Sequence, residues 1–174
     1  MARLIAKPIR NKLSGAIKLT ECIWPAETIL GEAPFWCSET RRLYWLDIVG
    51  KNIYRFDPES GDRDTFPQPY EFGCIVKRAK GGFIGATNKG LVLVEDDLKT
   101  LEIFSDPEAN LDNNRFNDGK CDRYGRFWAG STDIDEADPT GALYSVDTSL
   151  VLDKQFSNVI VANGLVLYVK SSAS

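Results

Sequence analysis

An all-β chain made of repeated four-stranded units is what the sequence predicts, and three observations carry the prediction. No window of useful length shows a 3.6-residue apolar period, so helices should be minor. Short runs rich in aromatic and β-branched residues alternate with Gly, Pro, Asn and Asp turns. The pattern also recurs: Leu43, Phe83 and Phe127 hold equivalent places and are 40 and 44 residues apart. A four-strand unit repeating at roughly 40–50 residues marks a β-propeller blade.

The first unit opens with Glu21–Trp24 and Glu27–Leu30, read as short strands on either side of Pro25-Ala26, and a sharp turn at Gly31-Glu32-Ala33-Pro34. Leu43–Ile48 and Asn52–Asp57 follow as a hairpin around Gly50-Lys51, and Pro58-Glu59-Ser60-Gly61 turns the chain into Asp64–Phe66. The second unit runs through Cys74–Val76, Gly81–Thr87, Gly90–Glu95 and Leu101–Phe104. The third runs through Lys120–Asp122, Gly125–Ser131, Gly141–Asp147 and Val151–Phe156, and a fourth copy is expected to start at Val159–Val169. Propellers close with about 4–8 blades. The expectation is therefore a partial propeller over residues 21–174, three blades plus the start of a fourth, preceded by a basic tail over 1–20.

That tail carries Arg3, Lys7, Arg10, Lys12 and Lys18 and no acid. It reads as a plain tail, with a mitochondrial transit peptide as the alternative; a cytoplasmic protein is the expectation. Hydrophobic content of 43% and charged content of 26% fit an ordinary globular domain. The net charge of -4 gives no basic footprint for nucleic acid, and no apolar run of about 18 residues predicts a membrane span.

The chain has no histidine. Ser-His-Asp and Cys-His catalysis within it are excluded, as are histidine zinc sites. A metal would be held by carboxylate, amide and carbonyl oxygens, which suits hard cations. Cys22, Cys37, Cys74 and Cys121 lack C-x-x-C spacing and read as buried free thiols.

Asn113–Ser131 concentrates polar side chains immediately before an apolar strand, Phe127-Trp128-Ala129. Polar groups set on a rigid sheet make a candidate site, against the bland alternative of an Asn-Asp-Gly turn. Arg115, Asn117 and Asp118 combine a fork of donors with amide and carboxylate oxygens, suited to a polyhydroxylated or carboxylated small molecule. Glu32 is aimed by Gly31 and Pro34 close by; alone it reads as an exposed turn acid. Asn163 sits in an Asn-Gly pair that alone reads as a hairpin turn. Asp133 and Asp135 follow the central strand in an acidic loop. Glu32, Asn117 and Asn163 are expected just before the first strands of blades one, three and four, where successive blades converge on the channel.

The sequence resembles the regucalcin (senescence marker protein) and gluconolactonase family. The residues that carry the resemblance are Leu30–Trp36, Leu43–Ile48, Asn114-Arg115-Phe116-Asn117-Asp118-Gly119-Lys120-Cys121-Asp122, Gly125–Gly130, Gly141–Tyr144 and Asn163-Gly164-Leu165. The resemblance implies a six-bladed propeller holding one divalent cation, calcium first, with zinc, manganese and magnesium as the other candidates. It implies hydrolysis of a small sugar lactone, with Glu32 and Asn163 at metal-ligand positions and Arg115, Asn117 and Asp135 at substrate-contact positions. It also shows departures. Ala33 stands for a more usual glycine, and Thr132 for a methionine. The family's third metal ligand, an aspartate that is also its candidate general base, lies beyond the Asn-Gly-Leu turn and has no counterpart up to Ser174. Two alternatives stay open: a non-catalytic calcium-binding regulator on the same scaffold, and an unrelated propeller that binds proteins. An open propeller edge would also favour self-association.

Overall fold

The computed structural model describes residues 22–166; the basic stretch 1–20 and the end of the apolar run after Val166 lie outside them. Twelve strands form three four-stranded antiparallel sheets in simple meander order. The first sheet is β1 (Gly31–Cys37), β2 (Arg42–Asp47), β3 (Asn52–Phe56) and β4 (Arg63–Pro67). The second is β5 (Phe72–Lys77), β6 (Phe83–Thr87), β7 (Gly90–Val94) and β8 (Leu101–Ser105). The third is β9 (Asn114–Cys121), β10 (Phe127–Asp133), β11 (Gly141–Val146) and β12 (Leu152–Val159). No helix occurs among the described residues. Each sheet is a propeller blade, as the 40- and 44-residue spacing predicts, and β1, β5 and β9 are the facing inner strands.

Each outer hairpin turns on an aspartate whose side chain mimics a backbone turn. Asp57 accepts from the Glu59 amide at 2.8 Å, Asp97 from Lys99 and Thr100 at 2.8 Å each, and Asp147 from Ser149 at 2.8 Å. Between the blades the apolar faces make two clusters. Tyr44, Leu46, Ile53, Phe72, Phe83 and Val92 join blades one and two. Cys74, Leu91, Phe116, Phe127, Ala129 and Tyr144 join blades two and three.

Four strand expectations are corrected. Residues 22–30 carry no strand: Pro25 lacks an amide hydrogen, Glu27 has φ 53°, and the Ile29 and Leu30 amides are taken by the Asp47 carboxylate at 2.8 and 2.9 Å. Gly31–Pro34 is not a turn but the start of β1, bent by a bulge between Glu32 and Phe35 where Ala33 takes φ 49°. The third unit starts at Asn114 rather than Lys120, so Glu32 and Asn117 lie within inner strands and not before them. Val159 closes β12, and 160–166 carry no strand; their bonding partners are β9 and β10, as described below. Of the four thiols, Cys37 and Cys74 are buried, whereas Cys22 and Cys121 are exposed; all are free.

Candidate active site

The site is set by a bulge in β9. Asp118 pairs with Gly130 and Phe116 with Ser131, so Asn117 is the extra residue with no partner in β10. A bulge re-aims the side chain it inserts. Its position is fixed from the neighbouring blade, where Gly73 is the matching bulge of β5, between Phe72 and Cys74. A Cβ on Gly73 would stand 2.1 Å from the Phe116 carbonyl oxygen and 2.7 Å from the Asn117 nitrogen. Only glycine lets the two backbones approach so closely. A second close approach, Gly119 against the buried Cys74 sulfur, completes the seam; its Cβ would fall 2.3 Å from that sulfur.

Asn117 is held at both ends of its amide. Arg115 Nη1 donates to its Oδ1 at 2.6 Å, and its Nδ2 donates to the Ala162 carbonyl at 2.8 Å. Asp118 takes the Leu165 amide at 2.9 Å, and Thr132 donates to the Ile160 carbonyl at 2.7 Å. The segment carrying Asn163 is thus strapped to β9 and β10, beside Asn117. Asn163 Oδ1 accepts its own following amide, Gly164, at 2.9 Å, which leaves that oxygen one lone pair to spare.

Arg115 is half-buried, and burial lowers its pKa, partly offset by the fields of the Glu71, Glu136 and Glu32 carboxylates. Glu32, on the first blade, is thus one of three carboxylates whose field acts on Arg115. Glu32 is exposed, and among the described residues its carboxylate accepts no hydrogen bond. Its strand is anchored by Asp47, buried at the end of β2. Burial alone would raise the Asp47 pKa, but the amides of Leu30, Ile29 and Gly50 hold it below the ordinary value of 3.8.

Blade three has its own internal anchor. Glu108 is buried, with Oε1 accepting from Ser131 Oγ at 2.6 Å and Tyr144 Oη at 2.9 Å, and Oε2 from Asn114 Nδ2 at 3.0 Å. This carboxylate ties the β8–β9 connection to the strands beneath Arg115. Burial and the neighbouring Glu108 push the Tyr144 hydroxyl pKa up.

Arg115, Asn117 and Asn163 are therefore together, with Glu32 and Arg115 electrostatically coupled. Asp135 is set apart: it is exposed and accepts from Asn113 Nδ2 at 3.0 Å, beside Asp133, which Asn113 also bonds. The acid of that loop whose field reaches Arg115 is Glu136, with φ 54°. Sequence reasoning passed over Glu71, Gly73 and Glu108. A signal for the first two was available: Glu71-Phe72-Gly73-Cys74 aligns with Arg115-Phe116-Asn117-Asp118, since Phe72 faces Thr87 as Phe116 faces Ser131. Blade two thus offers a carboxylate where blade three offers a guanidinium.

For a cation, the donor types fit a hard ion: one free carboxylate and one amide oxygen. The count is short of the roughly 6–8 oxygens calcium takes. Among the described residues no cluster of three or more acidic or thiol side chains is arranged to hold a metal.

The SMP-30/gluconolactonase/LRE-like family model matches residues 30–172. The chain belongs to this family. It is 34% identical over 145 residues to a 6-deoxy-6-sulfogluconolactonase of Pseudomonas putida, covering 83% of this chain and 50% of that protein. It is 28% identical over 151 residues to human regucalcin, covering 83% and 50%. Among solved structures, a luciferin-regenerating enzyme superposes with a TM-score of 0.72 at 28% identity, over 79% of this chain and 48% of that one. A calcium-binding regucalcin from Agrobacterium tumefaciens gives 0.70 at 23% identity, over 75% and 44%, a likeness of fold. The chain spans about half the length of the family relatives it matches. Of the two departures from the family pattern, Ala33 occupies the β1 bulge, and Thr132 bonds Ile160 of the strapped segment.

Proposed function

We propose that this chain supplies the lactone-holding part of a sugar-lactone hydrolase site, together with two ligands of a divalent cation, calcium first. The supporting observation is the Arg115–Asn117–Ala162 chain of hydrogen bonds, which holds the segment carrying Asn163 beside the bulge of β9. Arg115 keeps donors beyond the one given to Asn117, and these would take the hydroxyl or ring oxygens of the sugar and fix its orientation. Asn117 would hold Arg115 in that aim. Asp135 would make a contact at the rim.

Glu32 and Asn163 would hold the cation through oxygen. A bound divalent ion polarises a lactone carbonyl and acidifies water. Glu32 in this role also balances the Arg115 charge. The Glu71 carboxylate, whose field acts on Arg115 and which accepts no hydrogen bond among the described residues, would accept one from a sugar hydroxyl.

A second reading, cation binding without turnover, draws on the Asn117 amide: its Oδ1 and its Nδ2 each already have a partner within the protein. Exposed Phe156, Val151 and Ile160 on blade three also support self-association. Hydrolysis of gluconolactone with and without Ca²⁺, compared with Asn117→Ala, separates the readings. Turnover that needs the cation and falls in the variant supports a hydrolase. Calorimetric Ca²⁺ binding with no turnover supports the second reading, and neither heat nor turnover excludes both.

A further inference from the structure

At the opposite end of the seam between blades two and three lies a cavity of about 260 Å³. Its walls are Val76 and Ile84 from blade two and Phe127 and Val146 from blade three, with Leu150 at its edge. The strand directions set it apart from the candidate site: Arg115 and Asn117 begin β9, whereas Cys121, also in the lining, ends it. Its apolar side chains come from both blades, so the seam itself forms it.

The rim is basic. Lys77, Arg78 and Lys80 all line it. Lys77 is committed to Asp96 and lies 4.8 Å from the Phe83 ring centroid. Among the described residues Arg78 and Lys80 have no carboxylate partner. The acid in the lining, Asp147, spends its Oδ1 on the amides of Ser149 and Val151 at 2.8 and 2.9 Å. The facing turns are preset: Gly125 and Leu150 sit at φ 82° and 65°, and Asp122 and Asp147 brace them. Two unpaired cations at the mouth of an apolar cavity, in a chain of net charge -4, are a local inversion of charge.

We propose that this cavity binds a medium-chain aliphatic carboxylate, tail between the blades and carboxylate on Arg78 and Lys80. Its volume lies just under the roughly 300–1,000 Å³ of drug-sized sites, which suits an unbranched tail. Guanidinium and ammonium are the natural partners of the head group. The site is independent of lactone hydrolysis.

Octanoate is the probe, titrated by calorimetry into the whole chain, with 1-octanol as the uncharged control. Octanoate should bind, and octanol should bind at least ~10-fold more weakly. The double variant Arg78→Ala/Lys80→Ala, at a half-buried and an exposed position, should weaken octanoate ~10-fold or more and leave octanol unchanged. Thr148→Trp, at an exposed position on the rim, should block both ligands; near-UV circular dichroism checks that each variant keeps its fold. Failure of octanoate to bind, octanol binding as tightly, or unchanged affinity in the double variant would overturn the proposal. Should one variant not fold, the other and the octanol comparison still decide.

Discussion

The inner strands β1 and β9 each carry a bulge and a candidate site residue, but they are held in opposite ways. In β9 the bulge is clamped by backbone: Gly73 lies against Phe116 and Asn117, and the Asn117 amide is bonded at both ends. In β1 the bulge falls on Ala33 at φ 49°, the strand is largely exposed, and Glu32 ends in solvent. Its packing toward the seam is aromatic: Phe35 stacks on Tyr44 of the same blade at 5.0 Å, and Tyr44 tilts against Phe83 of blade two at 5.5 Å. Backbone contact leaves a side chain nowhere to go, whereas ring packing tolerates small shifts. The lesson is a division of labour. Under the proposed function, the part that would orient a molecule is clamped, and the part that would meet an ion keeps an exposed carboxylate.

The largest break in this comparison should come from Gly73→Val. Its side chain enters the space of the Phe116 carbonyl, and overpacking of this kind costs about 3 kcal/mol. Urea denaturation should show that loss together with disordering of the β9 bulge. Next, Asp47→Ala removes the acceptor of three amides and frees the segment before β1; a loss of about 2 kcal/mol is expected. The acid limb carries the same sign. Asp47 is depressed below 3.8, so its contribution is whole above that pH and fades as pH falls through the lower folded value. Asp122 behaves alike. Burial would raise its pKa, but bonds from Trp128 Nε1, the Arg126 amide and side chain, and the Tyr124 amide outweigh burial and take it to about 2. Its contribution is lost only as pH falls from 3.8 toward 2, so Asp122→Asn should flatten the stability profile in that window.

A smaller effect is expected from Asp118→Ala, about 1 kcal/mol, read as faster hydrogen exchange of the Leu165 amide while β9 itself stays protected. Smallest is Glu32→Gln, within about 0.5 kcal/mol of the parent, because among the described residues that exposed carboxylate accepts no hydrogen bond.

The blade repeat was legible because Leu43, Phe83 and Phe127 keep their spacing and turn residues punctuate every strand. The bulges were not. A one-residue insertion in a two-residue period looks like a turn in sequence, as Gly31–Pro34 does. Arg115 and Asn117 stood out by chemistry, but the clasp from Asn117 to Ala162 joins residues 45 apart in sequence and has no local signature. Glu71 has no local signature, since a lone acid before an apolar run is ordinary; only its register at the position matching Arg115 gives it meaning. Glu108 lies between strands in sequence and is nevertheless buried, because its three donors come from Ser131, Tyr144 and Asn114.

The most direct test of the site is a Ca²⁺ titration of the ¹⁵N-labelled chain followed by nuclear magnetic resonance. Shifts should be confined to amides around Glu32 and Asn163, with Glu32→Gln abolishing them and β9 unmoved. Shifts centred on the acidic loop at Asp133–Asp138, or saturation that survives Glu32→Gln, would contradict it.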